Sequence, residues 1–119
     1  MNPPHDTASV ESSLRAGGDI RPEERPTIVE QLSSLDARLR SFPVGAVDLQ
    51  LSVKERDTRS QRTVLEADIT GWPRLVATST HTTMSQALSE VRDDLIRQIT
   101  DTKTRTEPRN NRQRRNTEA

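Results

Sequence analysis

The stretch RLVATSTHTTMSQALSEVRDDLIRQITDTKTR, residues 74–105, has the clearest structural pattern in this chain. Its first part, Leu75–Thr80, is short and rich in Thr and Ser, which is typical of a strand. Thr83-Met-Ser-Gln86 then matches a capping box, in which side chains satisfy the free backbone donors of a first helical turn. The residues that follow at helical spacing form one apolar face: Met84, Ala87, Leu88, Val91, Leu95 and Ile99. The stretch therefore predicts a strand that leads into an amphipathic helix and then into a basic tail.

An earlier segment predicts another helix, which begins at Thr27. Thr27 and Glu30 again match a capping box. The apolar residues of this segment are spaced 4-3-4-3 and form a narrow stripe on a helix: Ile28, Leu32, Leu35, Leu39 and Phe42. Pro43 ends the helix, because a proline pushes the residue before it out of helical geometry.

The segment between the two helices alternates apolar and polar residues with period two. Val47–Val53 and Leu65–Ile69 each predict a strand with one buried face. The highly charged segment Lys54–Arg62 between them fits a hairpin loop. Gly71-Trp72-Pro73 predicts a turn before the last strand, because glycine accepts a positive φ and proline cannot donate to a ladder.

The fold that this order predicts is an α+β, two-layer domain with the sequence β-α-β-β-β-α, in which both helices cover one face of an antiparallel sheet. The first strand has the weakest signal. Residues 1–24 are rich in Pro, Ser, Gly and acids, and we expect most of them to be disordered, with Val10, Ser12 and Leu14 as a short edge strand. We place an acidic N-terminus at residues 1–8, the domain at 9–105 and a disordered basic tail at 106–119.

Composition limits the class of protein. Of the 119 residues, 29% are apolar and 30% are charged, so the core is small and mostly aliphatic. The chain has no Cys and two His, which excludes disulfides and gives no metal pattern. No signal peptide is visible, and no segment approaches the ~20 apolar residues of a membrane helix. We expect a cytoplasmic protein without a cofactor or a small-molecule substrate.

The formal net charge is zero, but the charge is distributed unevenly. Residues 1–24 contain five acids against two bases, and residues 103–115 contain six bases against one acid. A basic arm of this kind is attracted to polyphosphate, and the attraction falls steeply with salt. The alternative is a solvated tail that only aids solubility.

The sequence contains no catalytic motif. It has no glycine-rich phosphate loop and no plausible pair of nucleophile and base. Asp93 and Asp94 are adjacent on a helix, so their side chains point about 100° apart and do not converge on one atom. His81 fits a polar turn residue, and Trp72 fits packing over the sheet edge better than stacking on a base. We do not expect an enzyme.

Residues of the last helix carry a resemblance to a known family: Met84, Ala87, Asp93, Leu95, Arg97, Gln98 and Lys103. They match the pattern D-M-Y-A-A-I-D-x-x-x-D-K-L-E-R-Q-L-R-K-x-K of the ribosome hibernation-promoting factors, also called the sigma-54 modulation or ribosomal S30AE family. Leu35–Leu39 resembles that family's first helix, and Leu75–Thr78 resembles its last strand. The likeness covers about two-thirds of the chain, from Ile28 to Arg105.

The resemblance implies a non-catalytic bacterial protein that binds the rRNA of the small ribosomal subunit near the decoding region and modulates translation under stress. By matching position it assigns RNA contacts to Arg97 and Lys103, and also to Arg38 and Arg105. The basic hairpin and the basic tail extend the candidate set, which is Arg38, Lys54, Arg56, Arg97, Lys103, Arg105, Arg109 and Arg112.

Two other functions are open to this sequence. Asp94, Thr100 and Asp101 stand where the family has basic residues. These substitutions favour a divergent protein-interaction or regulatory module that keeps the fold and no longer binds ribosomes. A double-stranded RNA-binding domain also runs α-β-β-β-α, but it uses a lysine pair at the start of its second helix, and residues 81–83 offer none.

Overall fold

The computed structural model describes residues 7–106, and it describes side chains up to Thr104. The strands form one mixed four-stranded sheet with the spatial order β1-β2-β3-β4. The strand bounds are Leu14–Gly18 for β1, Val47–Lys54 for β2, Arg62–Ile69 for β3 and Leu75–Ser79 for β4. β2, β3 and β4 pair antiparallel, as predicted, but β1 pairs parallel to β2. The prediction of a purely antiparallel sheet is therefore wrong, because a helical crossover returns the chain before β2 begins.

Four α-helices lie along the described chain: α1 at Val10–Ser13, α2 at Arg25–Gln31, α3 at Asp36–Leu39 and α4 at Met84–Thr106. The predicted helix from Thr27 to Phe42 is interrupted. Leu32 leaves helical geometry at φ −93° and ψ 5°, and a 3₁₀ turn follows at Ser33–Leu35. Adjacent serines weaken a helix because their hydroxyls compete for backbone groups. Thr27 does not cap the segment either, since Glu24 is the N-cap of α2.

The segment before α2 is more ordered than its composition predicts. Val10–Ser13 forms one helical turn instead of an edge strand, and the strand begins only at Leu14. Ser9 caps this turn by accepting a hydrogen bond from Ser12 N at 3.2 Å. The turn is tied to the fold because Val10 N donates to Asp36 Oδ1 at 2.8 Å. Long-range contacts of this kind are not encoded in local propensity.

The core lies between the sheet and the helices on one of its faces. The alternating residues of β2, Val47, Leu49, Leu51 and Val53, are all buried, as the period-two pattern predicts. The apolar faces of the two predicted helices are buried as well: Ile28, Leu32, Leu35, Leu39, Ala87, Leu88, Val91, Leu95 and Ile99. Met84 and Phe42, which belong to the same faces, are half-buried. The opposite face of the sheet carries the polar residues of the same alternation and is covered by none of the described residues.

The connections also follow the prediction. Gly71 has φ +86°, and Trp72 N donates to Ile69 O at 2.9 Å to close the turn before β4. Trp72 packs edge-on against Phe42, with ring centroids 5.2 Å apart.

The expected disorder of residues 1–8 and the tail 106–119 falls almost entirely outside the described residues. Among those described, no helix has the length and apolar character needed to span a membrane.

Candidate functional site

The structure brings two of the predicted RNA-contacting residues together. Arg38 lies in α3 and Lys103 lies in the last turn of α4, 65 residues later. Both line one cleft between the ends of these helices, with a volume of about 280 Å³. The other lining residues are small or hydroxyl-bearing, apart from Ile99: Ala37, Ser41, Ile99, Thr100 and Thr104.

The packing of two apolar residues explains why this cleft exists. Leu39 and Ile99 are both buried, so α3 and α4 meet where these side chains enter the core. Arg38 precedes Leu39 and is exposed, and it forms no ion pair with the described residues. Lys103 is half-buried, and its Nζ donates to Ser41 Oγ at 3.0 Å. The two basic side chains are thus presented on the helical side of the domain.

The polarity of the two helices sets the electrostatics of the cleft. The cleft lies at the C-terminal ends of α3 and α4, where the helix dipole favours cations. Any anion in the cleft would therefore be held by the side chains and not by the helix ends. Hydroxyl groups add donors, although Thr104 Oγ1 already donates to Thr100 O at 3.0 Å. A cleft with two basic side chains and several hydroxyl groups is suited to an extended phosphate backbone rather than to one tightly enclosed phosphate.

Arg56, a predicted RNA contact, forms an ion pair instead. Its Nη1 and Nη2 donate to the two carboxylate oxygens of Glu24 at 2.7 and 2.6 Å. The Arg56 guanidinium lowers the pKa of Glu24 from 4.5 to about 2, and the backbone N–H of Arg21 contributes to this shift. Glu24 in turn raises the pKa of Arg56. This pair fastens the β2–β3 hairpin to the start of α2, so the charge of Arg56 is already neutralised.

Arg97 is also held by an acid on its own helix. Its Nη2 donates to Asp94 Oδ1, and Asp94 Oδ2 accepts from Gln98 Nε2 at 3.1 Å. Arg97 and Asp94 line a second groove together with Glu90 and Asp93, beside β4. This groove is acidic, and it is separate from the cleft at Arg38. Asp93 accepts from Arg92 Nε at 2.9 Å, so the two adjacent aspartates bind different arginines.

The remaining predicted residues lie elsewhere. Lys54 is at the end of β2 on the open face of the sheet, away from the helices. Arg105 belongs to the described backbone of α4, while its side chain and residues Arg109 and Arg112 lie outside the described part. Of the predicted residues, Arg38 and Lys103 therefore line the cleft. The cleft lies near the end of α4, and the basic segment follows α4 in the sequence.

Of the seven residues that line the cleft, the sequence marked only Arg38 and Lys103 as binding residues. It missed Ser41, which accepts the hydrogen bond from Lys103. No signal marks it, since it is a single polar residue between the end of a helix and Pro43.

Residues 7–106 contain no cluster of three or more His, Asp or Glu side chains able to hold a metal ion. No model of a known protein family matches the chain, and no curated protein matches it either.

Proposed function

We propose that this protein is a non-catalytic, ribosome-associated factor that resembles the hibernation-promoting factors. In this proposal it binds the rRNA of the small subunit near the decoding region and modulates translation under stress. The observation that carries the proposal is the convergence of Arg38 and Lys103 in one cleft. The resemblance assigns RNA contacts to both residues, and a fold that brings them together supports that assignment.

The order of elements gives separate support. If the one-turn helix α1 is set aside and Arg25–Leu39 is counted as one interrupted helix, the order is β-α-β-β-β-α. This is the order that the resemblance implies. Its two helical segments lie side by side, so the cleft between their ends belongs to this arrangement rather than to one local motif.

The position of the cleft relative to the basic segment supports phosphate binding. Basic residues continue beyond α4 at Arg109, Arg112, Arg114 and Arg115. A pair of cations on two helices, followed in sequence by a basic segment, suits a phosphate backbone, for which dispersed Lys and Arg supply affinity without a base-specific pocket.

Co-sedimentation of the full chain with purified small subunits in a sucrose gradient tests this function. We expect the chain to travel with the subunits at low salt and to be released as salt rises. A chain that stays at the top of the gradient even at low salt contradicts the proposal. A variant with Arg109, Arg112, Arg114 and Arg115 changed to Gln then separates the share of the basic segment from that of the cleft.

A second candidate is a protein-interaction or regulatory module of the same fold. One observation favours it: residues 7–106 contain 14 basic and 15 acidic residues, so this part has no excess of positive charge. Several arginines are paired with acids, as Arg56 is with Glu24 and Arg74 with Asp68. In this case the chain does not co-sediment with subunits at any salt concentration.

A further inference from the structure

The open face of the sheet has a pair of acidic residues at one end of β2 and β3 and a pair of basic residues at the other end. Asp48 and Asp68 are register partners near one end, across β2 and β3. Lys54 and Arg62 are register partners at the other end of the same two strands. All four residues are exposed, and they point away from the helices. Acidic residues therefore mark one end of this face and basic residues mark the other.

The register places all four strands on one common centre. Ala16, Leu51, Leu65 and Ala77 form a continuous line of Cα partners across the sheet. Asp48 and Lys54 lie three residues on either side of Leu51, and Arg62 and Asp68 lie three residues on either side of Leu65. A twofold axis that runs parallel to this line, above the open face, reverses the strand direction of a second sheet laid on the first. It therefore places each acidic residue opposite a basic residue of the second sheet.

We propose that the open face binds a second copy of this chain about this twofold axis. Asp48 of each copy then faces Lys54 of the other copy, and Asp68 faces Arg62. An interface of this kind is self-complementary, as a twofold dimer requires. It lies on the side of the sheet opposite to the helices, so it is separate from the cleft of Arg38 and Lys103. It assigns Lys54, a candidate RNA contact from the sequence, to the dimer contact instead.

The two rows between the charged ends suit close contact between sheets. Their neutral residues are small or apolar except for Gln50: Gly17, Gln50, Ser52, Val64, Val76 and Thr78. Val76 is 43% exposed. Arg15 and Glu66 also lie in these rows. Each pairs within its own chain, Arg15 with Asp48 at 3.3 Å and Glu66 with Arg74 at 3.7 Å. The Arg15–Asp48 pair is exposed, and the Asp48 side chain is 50% exposed, so this carboxylate can also contact a cation of a second copy.

The like-charged pairs within one sheet favour a partner of opposite charge. Like charges directly opposite across two strands destabilise a sheet. Arg15 and Arg74 offset this at the acidic end, through exposed ion pairs that contribute little. At the basic end, Lys54 and Arg62 form no ion pair with any described residue. The aspartates of a second copy supply the missing counter-charges.

The size of the face sets the expected strength. Two strands of eight residues and two of five, about 4.8 Å apart and rising about 3.3 Å per residue, give a face of roughly 400 Å². Stable complexes bury about 800 Å² per partner, so this dimer is expected to be weak. We expect a dissociation constant on the order of 100 μM at low salt.

Sedimentation equilibrium of the full chain tests the proposal, over roughly 20 μM to 1 mM protein so that the expected constant is bracketed. We expect a monomer–dimer equilibrium that weakens several-fold at high salt, because the charged contacts are exposed and screened. Lys54→Glu and Asp48→Lys each place like charges opposite one another in the dimer. Each is expected to weaken self-association by about tenfold or more.

A mixture of these two variants distinguishes the proposed axis from a general effect of charge. In the mixed dimer, Glu at position 54 of one chain faces Lys at position 48 of the other, and the second contact is the native one. We expect the mixture to recover the wild-type constant to within about threefold. Glu30→Lys, an exposed change on α2, is the matched control and leaves the constant unchanged.

Three outcomes overturn the proposal. A wild-type chain that stays monomeric at the highest concentration and lowest salt has no such interface. A face that is covered by another segment of the same chain would give this result. A dimer that both single variants leave intact uses another surface. Variants that fail to associate alone and also fail in the mixture rule out the proposed axis.

Discussion

At the level of single residues, the Glu24–Arg56 pair shows how one contact changes a functional assignment. Arg56 was expected to contact RNA because it lies in a basic hairpin. The structure instead places its guanidinium on Glu24, with side chains only 16% and 24% exposed. A charge that is paired inside the fold is less available to a phosphate, so its role is to join the hairpin to α2.

This pair makes stability depend on pH. The pKa of Glu24 is depressed to about 2, so its contribution is complete above about pH 4.5 and is lost as the pH falls toward 2. We expect Glu24→Gln to lower the free energy of unfolding at pH 7 by about 1–2 kcal/mol, since both side chains remain partly in water. Denaturant unfolding at several pH values should show this difference shrinking between pH 4.5 and 2. A difference that stays constant over this range contradicts the assignment. Glu30→Gln serves as the exposed control.

Gly18 is a second residue with a specific structural requirement. Its φ is +69°, and a Cβ at this position lies 2.4 Å from Val53 O, which is backbone and has little freedom to move. We expect Gly18→Ala to destabilise the domain by about 2–4 kcal/mol, from strain and displacement of β1. Gly17→Ala is the matched control, because its Cβ has nothing within 4 Å, and we expect a change below about 0.5 kcal/mol. Equal effects of the two changes in thermal unfolding would rule out this explanation.

At the level of elements, the strength of the local pattern decides what could be predicted. β2 and α4 carry long runs with period two or helical spacing, and the structure starts them at Val47 and Met84 as the sequence indicates. An edge strand was predicted before the first helix, but the bounds of β1 could not be predicted, because Leu14–Gly18 contains two glycines and only one large apolar residue. Its place is fixed by parallel pairing with β2, which is a long-range contact.

The same limit applies to the candidate site. The sequence marks Arg38 and Lys103 only as basic residues on two helices, and nothing local brings residues 65 positions apart together. The resemblance placed both in one functional set, and packing at Leu39 and Ile99 explains their convergence. The ion pairs of Arg56 and Arg97 depend on side-chain geometry, which the sequence does not give.

The docking of the N-terminal segment is an element-level feature that can be tested. Asp36 Oδ1 accepts from Val10 N, and this bond holds α1 and β1 against α3. We expect Asp36→Ala to cost about 1–2 kcal/mol, because a partly buried backbone donor loses its partner. Hydrogen exchange should accelerate by about tenfold at Leu14–Gly18, in proportion to that loss. Asp36→Asn keeps an acceptor oxygen and should behave nearly as the wild type; similar acceleration in both variants contradicts the role of this bond.

At the level of the whole molecule, the two sides of the sheet have different tasks in this account. The helical side carries the cleft between α3 and α4, and the chain leaves α4 toward its basic segment from there. The open side carries the self-complementary charge pattern of β2 and β3. Because the two surfaces lie on opposite sides of one small core, changes on one are expected to leave binding through the other intact.

The salt dependence of binding to purified small ribosomal subunits shows whether Arg38 and Lys103 contact phosphates. Each phosphate contact contributes about 0.7–0.9 to the slope of log K against log salt. We therefore expect Arg38→Gln combined with Lys103→Gln to reduce the slope by about 1.5, while Arg97→Gln, whose charge Asp94 already neutralises, reduces it by less than about 0.3. A double variant with the wild-type slope, or a control that changes as much as the double variant, would contradict the claim that this cleft binds RNA.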